Sequence, residues 1–139
     1  MKALKVTLFS VYSLLVAYIV FFARRRHGIV WSEEYLNLLP VKRLVDNYHS
    51  SDVKRWDFYS NLIGNVFLFI PLPIFVQEIF LMRTKSLIVL GVFISILIES
   101  LQYAFHIGVA DIDDVLLNTL GTIIGVFVWD IMRKILILF

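Results

Sequence analysis

The chain has 139 residues, of which 60% are apolar and only 17% are charged, and its net charge is +2. A soluble domain of this length would leave too much apolar surface exposed to water, so the composition excludes an ordinary soluble fold and predicts one membrane domain. The basic residues flank apolar stretches rather than forming a patch, so we expect the lipid bilayer and not nucleic acid as partner, and the absence of cysteine excludes disulfides.

Four apolar stretches are each close to the ~20 residues that cross a bilayer as a helix. They cover residues 6–22, 61–82, 87–105 and 115–139. No small-x-small cleavage site precedes Arg24–Arg26, so we interpret the first stretch as an uncleaved span rather than a signal peptide. The second contains Pro71 and Pro73, which membrane helices tolerate and which usually kink them. The sequence therefore predicts an all-α, polytopic membrane protein, a single domain built as a four-transmembrane-helix bundle.

The first connection, Ala23 to Tyr59, differs from the short later ones because it mixes aromatic and leucine residues with basic residues. The basic residues are Arg24–Arg26, Lys42, Arg43, Lys54 and Arg55. This mixture is typical of a segment that lies at the level of the lipid headgroups. We therefore predict an interfacial first loop, and an ordinary ordered loop is an equally good alternative.

Polar residues gather toward one end of the predicted bundle. With four spans, the first and third connections lie on the same side of the membrane, so the start of the second helix, the end of the third and the start of the fourth lie together there. The polar residues at these ends are Asn61, Asn65, Glu99, Gln102, His106, Asp111, Asp114 and Asn118. At 100° per residue, those of each helix also fall on one face. We therefore predict a polar cluster that faces the bundle interior.

The acidic members of this cluster are candidate catalytic residues. Glu99 lies roughly 10 Å below His106 along its helix, within the hydrocarbon layer, where a carboxylate must face the interior. Its structural alternative is a hydrogen bond to a partner such as Asn118. Asp111 and Asp114 fit a divalent-cation site or ion pairs with the first loop, and helix capping explains them equally well. Asp113 points away from the cluster, which favours a pure helix cap.

Two further features concern the packing of the helices and the role of the histidine. Gly64, Gly121 and Gly125 would let the second, third and fourth helices approach closely, since Gly-x-x-x-Gly is a helix-packing motif. His106 is able to carry a proton, but a histidine at a helix end is more often only interfacial. Neither a cofactor nor a metal is identified by the sequence.

Three blocks occur in order: Asn61-Leu-Ile-Gly-Asn65, then Glu99-Ser-Leu-Gln102, then Asp111-Ile-Asp-Asp114-Val-Leu-Leu-Asn118 followed by Gly121 and Gly125. This arrangement resembles the VanZ-like family, small bacterial membrane proteins named after an accessory determinant of teicoplanin resistance. The resemblance implies a cell-membrane protein of the envelope that is linked to glycopeptide tolerance, and it implies no particular reaction. Many members carry an arginine just before the aspartate block, where this chain has residues 107–110. We expect its counterpart in the first loop, or else a more acidic site.

The distribution of basic residues predicts that both termini are cytoplasmic. This orientation places Lys2, Lys5, Arg83, Lys85, Arg133 and Lys134 inside, as the positive-inside tendency requires, although Arg24–Arg26 oppose it. The polar cluster would then face the cell wall.

Three functions fit these observations. The first is a module that binds or shields the head of a lipid-linked cell-wall precursor, or meets the glycopeptide itself. The second is an enzyme that modifies a lipid or surface component, with Glu99 as acid or base and Asp111 and Asp114 as metal ligands. The third is a small proton- or ion-coupled carrier, which a four-helix chain would form as a homo-oligomer.

Overall fold

A bundle of long helices dominates the computed structural model of the chain, which describes residues 2–23 and 36–137. Four segments are long and apolar enough to cross a membrane: Lys2–Phe22, Arg55–Phe80, Thr84–Ala104 and Ile112–Ile135. This confirms the predicted four-helix membrane class. The elements are α1 (Lys2–Tyr18) with a π-helical turn (Ile19–Ala23), β1 (Leu36–Asn37), α2 (Lys42–His49), α3 (Arg55–Phe69), α4 (Pro71–Phe80), α5 (Thr84–Ala104), β2 (Ala110–Asp111) and α6 (Ile112–Ile137).

The second span bends at Ile70, where α3 ends and α4 begins. Pro71 and Pro73 cause the break because neither has the N–H that would continue the helical hydrogen bonds. The Tyr12 hydroxyl of α1 donates to the carbonyl oxygen of Leu68 at 2.6 Å, beside the break. The predicted kink therefore also serves as an attachment point for the first helix.

Helix α6 packs closely against α3, α4 and α5. A β-carbon at Gly121 would overlap the carbonyl oxygen of Val66, and one at Gly125 would overlap that of Ile70. Gly91 of α5, which the sequence did not single out, meets the Thr122 side chain in the same way. The small residues along α6 thus bring it against the backbone of the kinked second span. Gly64 is half-buried in α3.

Helix α1 lies at the edge of the bundle. No residue between Lys2 and Tyr18 is buried, although Val20 in the π-helical turn is. The helix is held to α4 by ring contacts between Tyr12 and Phe75, whose centroids are 5.4 Å apart. Lys5 and Glu78 form an ion pair at the other end of the same two helices.

The first loop folds back onto the bundle in its described part, residues 36–54. Strand β1 pairs in parallel with β2, with Leu36 opposite Ala110 and Asn37 opposite Asp111. Helix α2 follows and contacts α3 and α6. Leu38 and Leu39 remain exposed, as does Trp56 at the start of α3. Contact with lipid headgroups stays a prediction, and Arg24–Arg26 lie outside the described residues.

Candidate functional site

A cavity of about 90 Å³ lies where α3, α5 and α6 meet the first loop. Seven of the eight residues of the predicted polar cluster line it, together with two residues of α2. The seven are Asn61, Asn65, Glu99, Gln102, Asp111, Asp114 and Asn118, and the two from α2 are Arg43 and Asn47. The structure therefore brings together side chains from the three helix ends that the sequence placed on one side, and it adds the first loop. We call this space the polar cavity.

His106 is the exception, because it does not line the polar cavity. Helix α5 ends at Ala104, and His106 follows in a turn with a positive φ of 53° and an exposed side chain. Its backbone N–H donates to the backbone carbonyl oxygen of Tyr103 at 3.1 Å. The sequence prediction continued the helical spacing of α5 as far as His106, but the helix ends two residues earlier, at Ala104.

Asp111 joins three parts of the molecule at the wall of the cavity. Its backbone N–H donates to Glu99 Oε2 at 3.0 Å, which ties β2 to α5. Its Oδ1 accepts hydrogen bonds from Asn37 Nδ2 at 2.7 Å and from the backbone N–H of Asp113 at 3.0 Å. Its Oδ2 lies 3.7 Å from Arg43 Nη1. Asp111 is therefore the side-chain cap of α6 and also the anchor for the first loop.

Asp113 caps a different helix from the one in which it lies. Its side chain is almost fully buried, at 1% exposure. Its Oδ1 accepts from the backbone N–H of Val41, and its Oδ2 accepts from that of Leu44 at 3.1 Å. A carboxylate at this position satisfies amides at the start of α2 and matches the positive end of that helix. The prediction that Asp113 caps α6 is therefore wrong: Asp111 does so, and Asp113 holds α2 on the bundle.

Glu99 and Asn118 both make hydrogen bonds within the wall of the cavity. Glu99 is 6% exposed and receives the Asp111 amide described above. Asn118 Nδ2 donates to Ser95 Oγ at 2.8 Å, and the backbone carbonyl oxygen of Asn118 accepts from Thr122 Oγ1 at 3.0 Å. These bonds connect α5 to β2 and α6. Glu99 therefore makes a structural hydrogen bond to the Asp111 backbone, whereas the alternative predicted from the sequence named Asn118 as an example of a partner.

The remaining polar residues tie other helices to the same space. Asn61 Nδ2 donates to Asp114 Oδ1 at 3.3 Å, which links α3 to α6. Gln102 Nε2 donates to the carbonyl oxygen of Val20 at 3.1 Å, where the π-helical turn follows α1. Every spanning helix therefore contributes a contact near the polar cavity.

Comparison with known proteins identifies the family. The model of the VanZ/LLP1 family matches residues 9–133. The chain belongs to this family. Protein VanZ of Enterococcus faecium is 32% identical over 100 residues, which cover 65% of this chain and 60% of the relative. The chain thus spans less than two thirds of that relative's length. No solved structure matches the chain.

In this VanZ/LLP1 member the cation beside the aspartate block comes from the first loop, one of the two arrangements that the sequence left open. Arg43 supplies it, with its Nη1 buried and without a hydrogen-bond acceptor among the described residues. Its neighbour Lys42 is 58% exposed and pairs with Asp46 at 2.7 Å instead. Asn47 lies one helical turn after Arg43, so both face the cavity.

The candidate metal ligands of this family member are engaged in protein contacts. Asp111 accepts from Asn37, and Asp114 accepts from Asn61. Within residues 2–23 and 36–137, no three acidic or histidine side chains converge in a way that would hold a metal ion.

Proposed function

We propose that this VanZ/LLP1 family member binds the polar head of a lipid-linked surface component in the polar cavity and thereby contributes to glycopeptide tolerance. The observation that carries the proposal is the combination of groups in the cavity. Arg43 presents a donor without an acceptor among the described residues, and it lies beside carboxylates and side-chain amides. A guanidinium only donates, a carboxylate only accepts, and an amide does both.

The matching ligand has an anionic group as well as hydrogen-bond donors. A phosphate or carboxylate would accept from Arg43, because guanidinium groups bind such anions with charge-assisted hydrogen bonds. An ammonium or hydroxyl group on the same head would donate to the carboxylate of Asp114. Headgroups of lipids and of lipid-linked wall precursors combine these features. The predicted orientation, with both termini cytoplasmic, would place the cavity on the side of the membrane where teicoplanin meets its target.

The proposal is tested by removing the cavity cation and leaving its exposed neighbour as the control. Arg43→Gln loses a charge-assisted hydrogen bond worth about 1.5–3 kcal/mol, which is about a 10- to 150-fold weakening of binding. Lys42→Gln removes the same charge from the same helix at an exposed site. Teicoplanin susceptibility would be measured in a sensitive Gram-positive host at equal membrane abundance of each variant. We expect protection by wild type and by Lys42→Gln, and little protection by Arg43→Gln.

Equal protection by wild type and Arg43→Gln would show that the cavity cation does not act in tolerance. Absence of protection by all three proteins would separate this chain from the glycopeptide phenotype. Either result would overturn the proposal.

A second substitution separates a binding protein from the enzyme and carrier alternatives. Those alternatives require Glu99 to exchange a proton, and glutamine cannot do so. Glutamine does retain an oxygen that can accept the Asp111 amide now received by Glu99 Oε2 at 3.0 Å. A binding protein should therefore keep most of its protection in Glu99→Gln, whereas an enzyme or carrier should lose it.

A further inference from the structure

An apolar groove of about 250 Å³ runs along the inner side of α1, between that helix and α5. The side formed by α1 and its π-helical turn extends from Phe9 to Phe21, and the small residues Ser13 and Ala17 leave room between the larger ones. Its opposite wall includes Leu97 of α5. Almost all of the surface that lines it is apolar. A groove of this kind in a bilayer holds hydrocarbon rather than water.

The attachment of α1 explains why the groove exists. Tyr12 and Lys5 bind α1 to the second span through Leu68 and Glu78. Toward α5 the contact is made at the end of the helix, where Gln102 donates to the Val20 carbonyl oxygen. Helix α1 is therefore held along α4 and at its end, and the space beside α5 is left open between these attachments.

The groove lies directly beside the polar cavity. Val20, Phe69 and Ile98 line both spaces, so a single layer of side chains lies between them. A lipid with its head among Arg43 and Asp114 would thus have its hydrocarbon part only one side-chain layer away from the groove. We propose that the groove binds one hydrocarbon chain of the same lipid whose head occupies the polar cavity. This inference rests on the proposed function and adds to it the class of ligand, a chain-bearing lipid that enters sideways between α1 and α5.

The two parts of the site would contribute differently to binding. Lipid tails are as apolar as the groove, so transfer of a chain from the bilayer into the groove brings no hydrophobic gain. Affinity must come from the head, while the chain gains only van der Waals contacts if the groove is unobstructed. A bulky side chain in the groove should therefore block a chain-bearing lipid and leave a chainless head unaffected.

The test uses phosphatidylcholine nanodiscs that contain the 139-residue protein. They also contain a phosphatidylethanolamine that carries a diazirine on one acyl chain. Its head combines a phosphate with an ammonium group. Ala17→Phe fills the groove, and Ala3→Phe is the same substitution at an exposed position of the same helix. After illumination, mass spectrometry would locate the labelled peptides. Binding of soluble glycerophosphoethanolamine, which is the head without chains, would be measured by calorimetry on the same proteins.

We expect labelling at residues 13–21 and 94–101 in wild type and in Ala3→Phe, reduced at least about tenfold in Ala17→Phe and in Arg43→Gln. Soluble glycerophosphoethanolamine should bind Ala17→Phe as tightly as it binds wild type. That result would also show that this variant is folded. Labelling spread evenly over the lipid-facing surface, or unchanged by Ala17→Phe, would overturn the inference even where the head still binds. A second copy seated in the groove, seen as a dimer that Ala17→Phe converts to monomer, would also overturn it. If soluble glycerophosphoethanolamine did not bind wild type while the groove was still labelled, the proposed function would be contradicted instead.

Discussion

Asp113 should control the attachment of the first loop to the bundle. The side chain is 1% exposed, and its two oxygens accept the backbone N–H groups of Val41 and Leu44. Asp113→Asn keeps one acceptor oxygen, replaces the other with an NH₂ group and removes the charge. One lost hydrogen bond to a charged group costs about 2 kcal/mol, which corresponds to an increase of about 30-fold in the opening of α2.

Hydrogen exchange followed by mass spectrometry would measure this opening on the purified chain in nanodiscs. We expect amides of Lys42–His49 to exchange about 30-fold faster in Asp113→Asn, while the interior amides of α5 and α6 are unchanged. The control is Asp46→Asn, which breaks the exposed pair with Lys42 at 2.7 Å and should cost at most about 1 kcal/mol. If α2 exchanged at the wild-type rate in Asp113→Asn, the assignment of Asp113 as its anchor would be wrong. A uniform increase through the whole bundle would refute a local effect.

Two other substitutions test the packing of the bundle by thermal unfolding in detergent. Tyr12→Phe removes the 2.6 Å hydrogen bond to the Leu68 carbonyl oxygen and should lower the free energy of unfolding by about 1–2 kcal/mol. Its control is Tyr18→Phe, at a 63% exposed position of the same helix, which should have little effect. Gly125→Ala places a β-carbon against the Ile70 carbonyl oxygen and should lower the free energy of unfolding of the bundle by about 1–3 kcal/mol. Its control is Leu120→Ala, which removes exposed, lipid-facing atoms and should have a smaller effect. Equal unfolding temperatures within either pair would contradict the corresponding contact.

The helices and most of the polar cavity follow from periodicity in the sequence. Apolar runs of membrane-spanning length locate the four spans. Because successive spans cross the membrane in opposite directions, their order shows which helix ends lie on the same side. The 100° spacing then directs residues such as Asn65, Glu99 and Asn118 toward a common interior. These inferences succeed because membrane helices leave few arrangements open.

The contribution of the first loop could not be predicted in the same way. Asn37, Arg43 and Asn47 reach the site only because β1 pairs with β2 and because Asp113 holds α2. These contacts join residues about 70 positions apart in sequence, and no local pattern specifies them. His106 shows the complementary error, since a helical spacing was extended beyond the end of α5.

The dual role of the aspartate block changes how its variants should be interpreted. Asp111 and Asp113 both bind the first loop, and the loop carries Arg43 into the polar cavity. Loss of function after substitution of either aspartate would therefore follow from displacement of Arg43, even if neither carboxylate ever touches a ligand. Glu99→Gln and Arg43→Gln avoid this ambiguity, because the first keeps an acceptor for the Asp111 amide and the second leaves the cap of α2 intact. If only Arg43→Gln impairs function, the cavity binds a ligand without proton exchange. If Glu99→Gln impairs it equally while exchange in α2 stays at the wild-type rate, a role for Glu99 in proton transfer must be adopted instead.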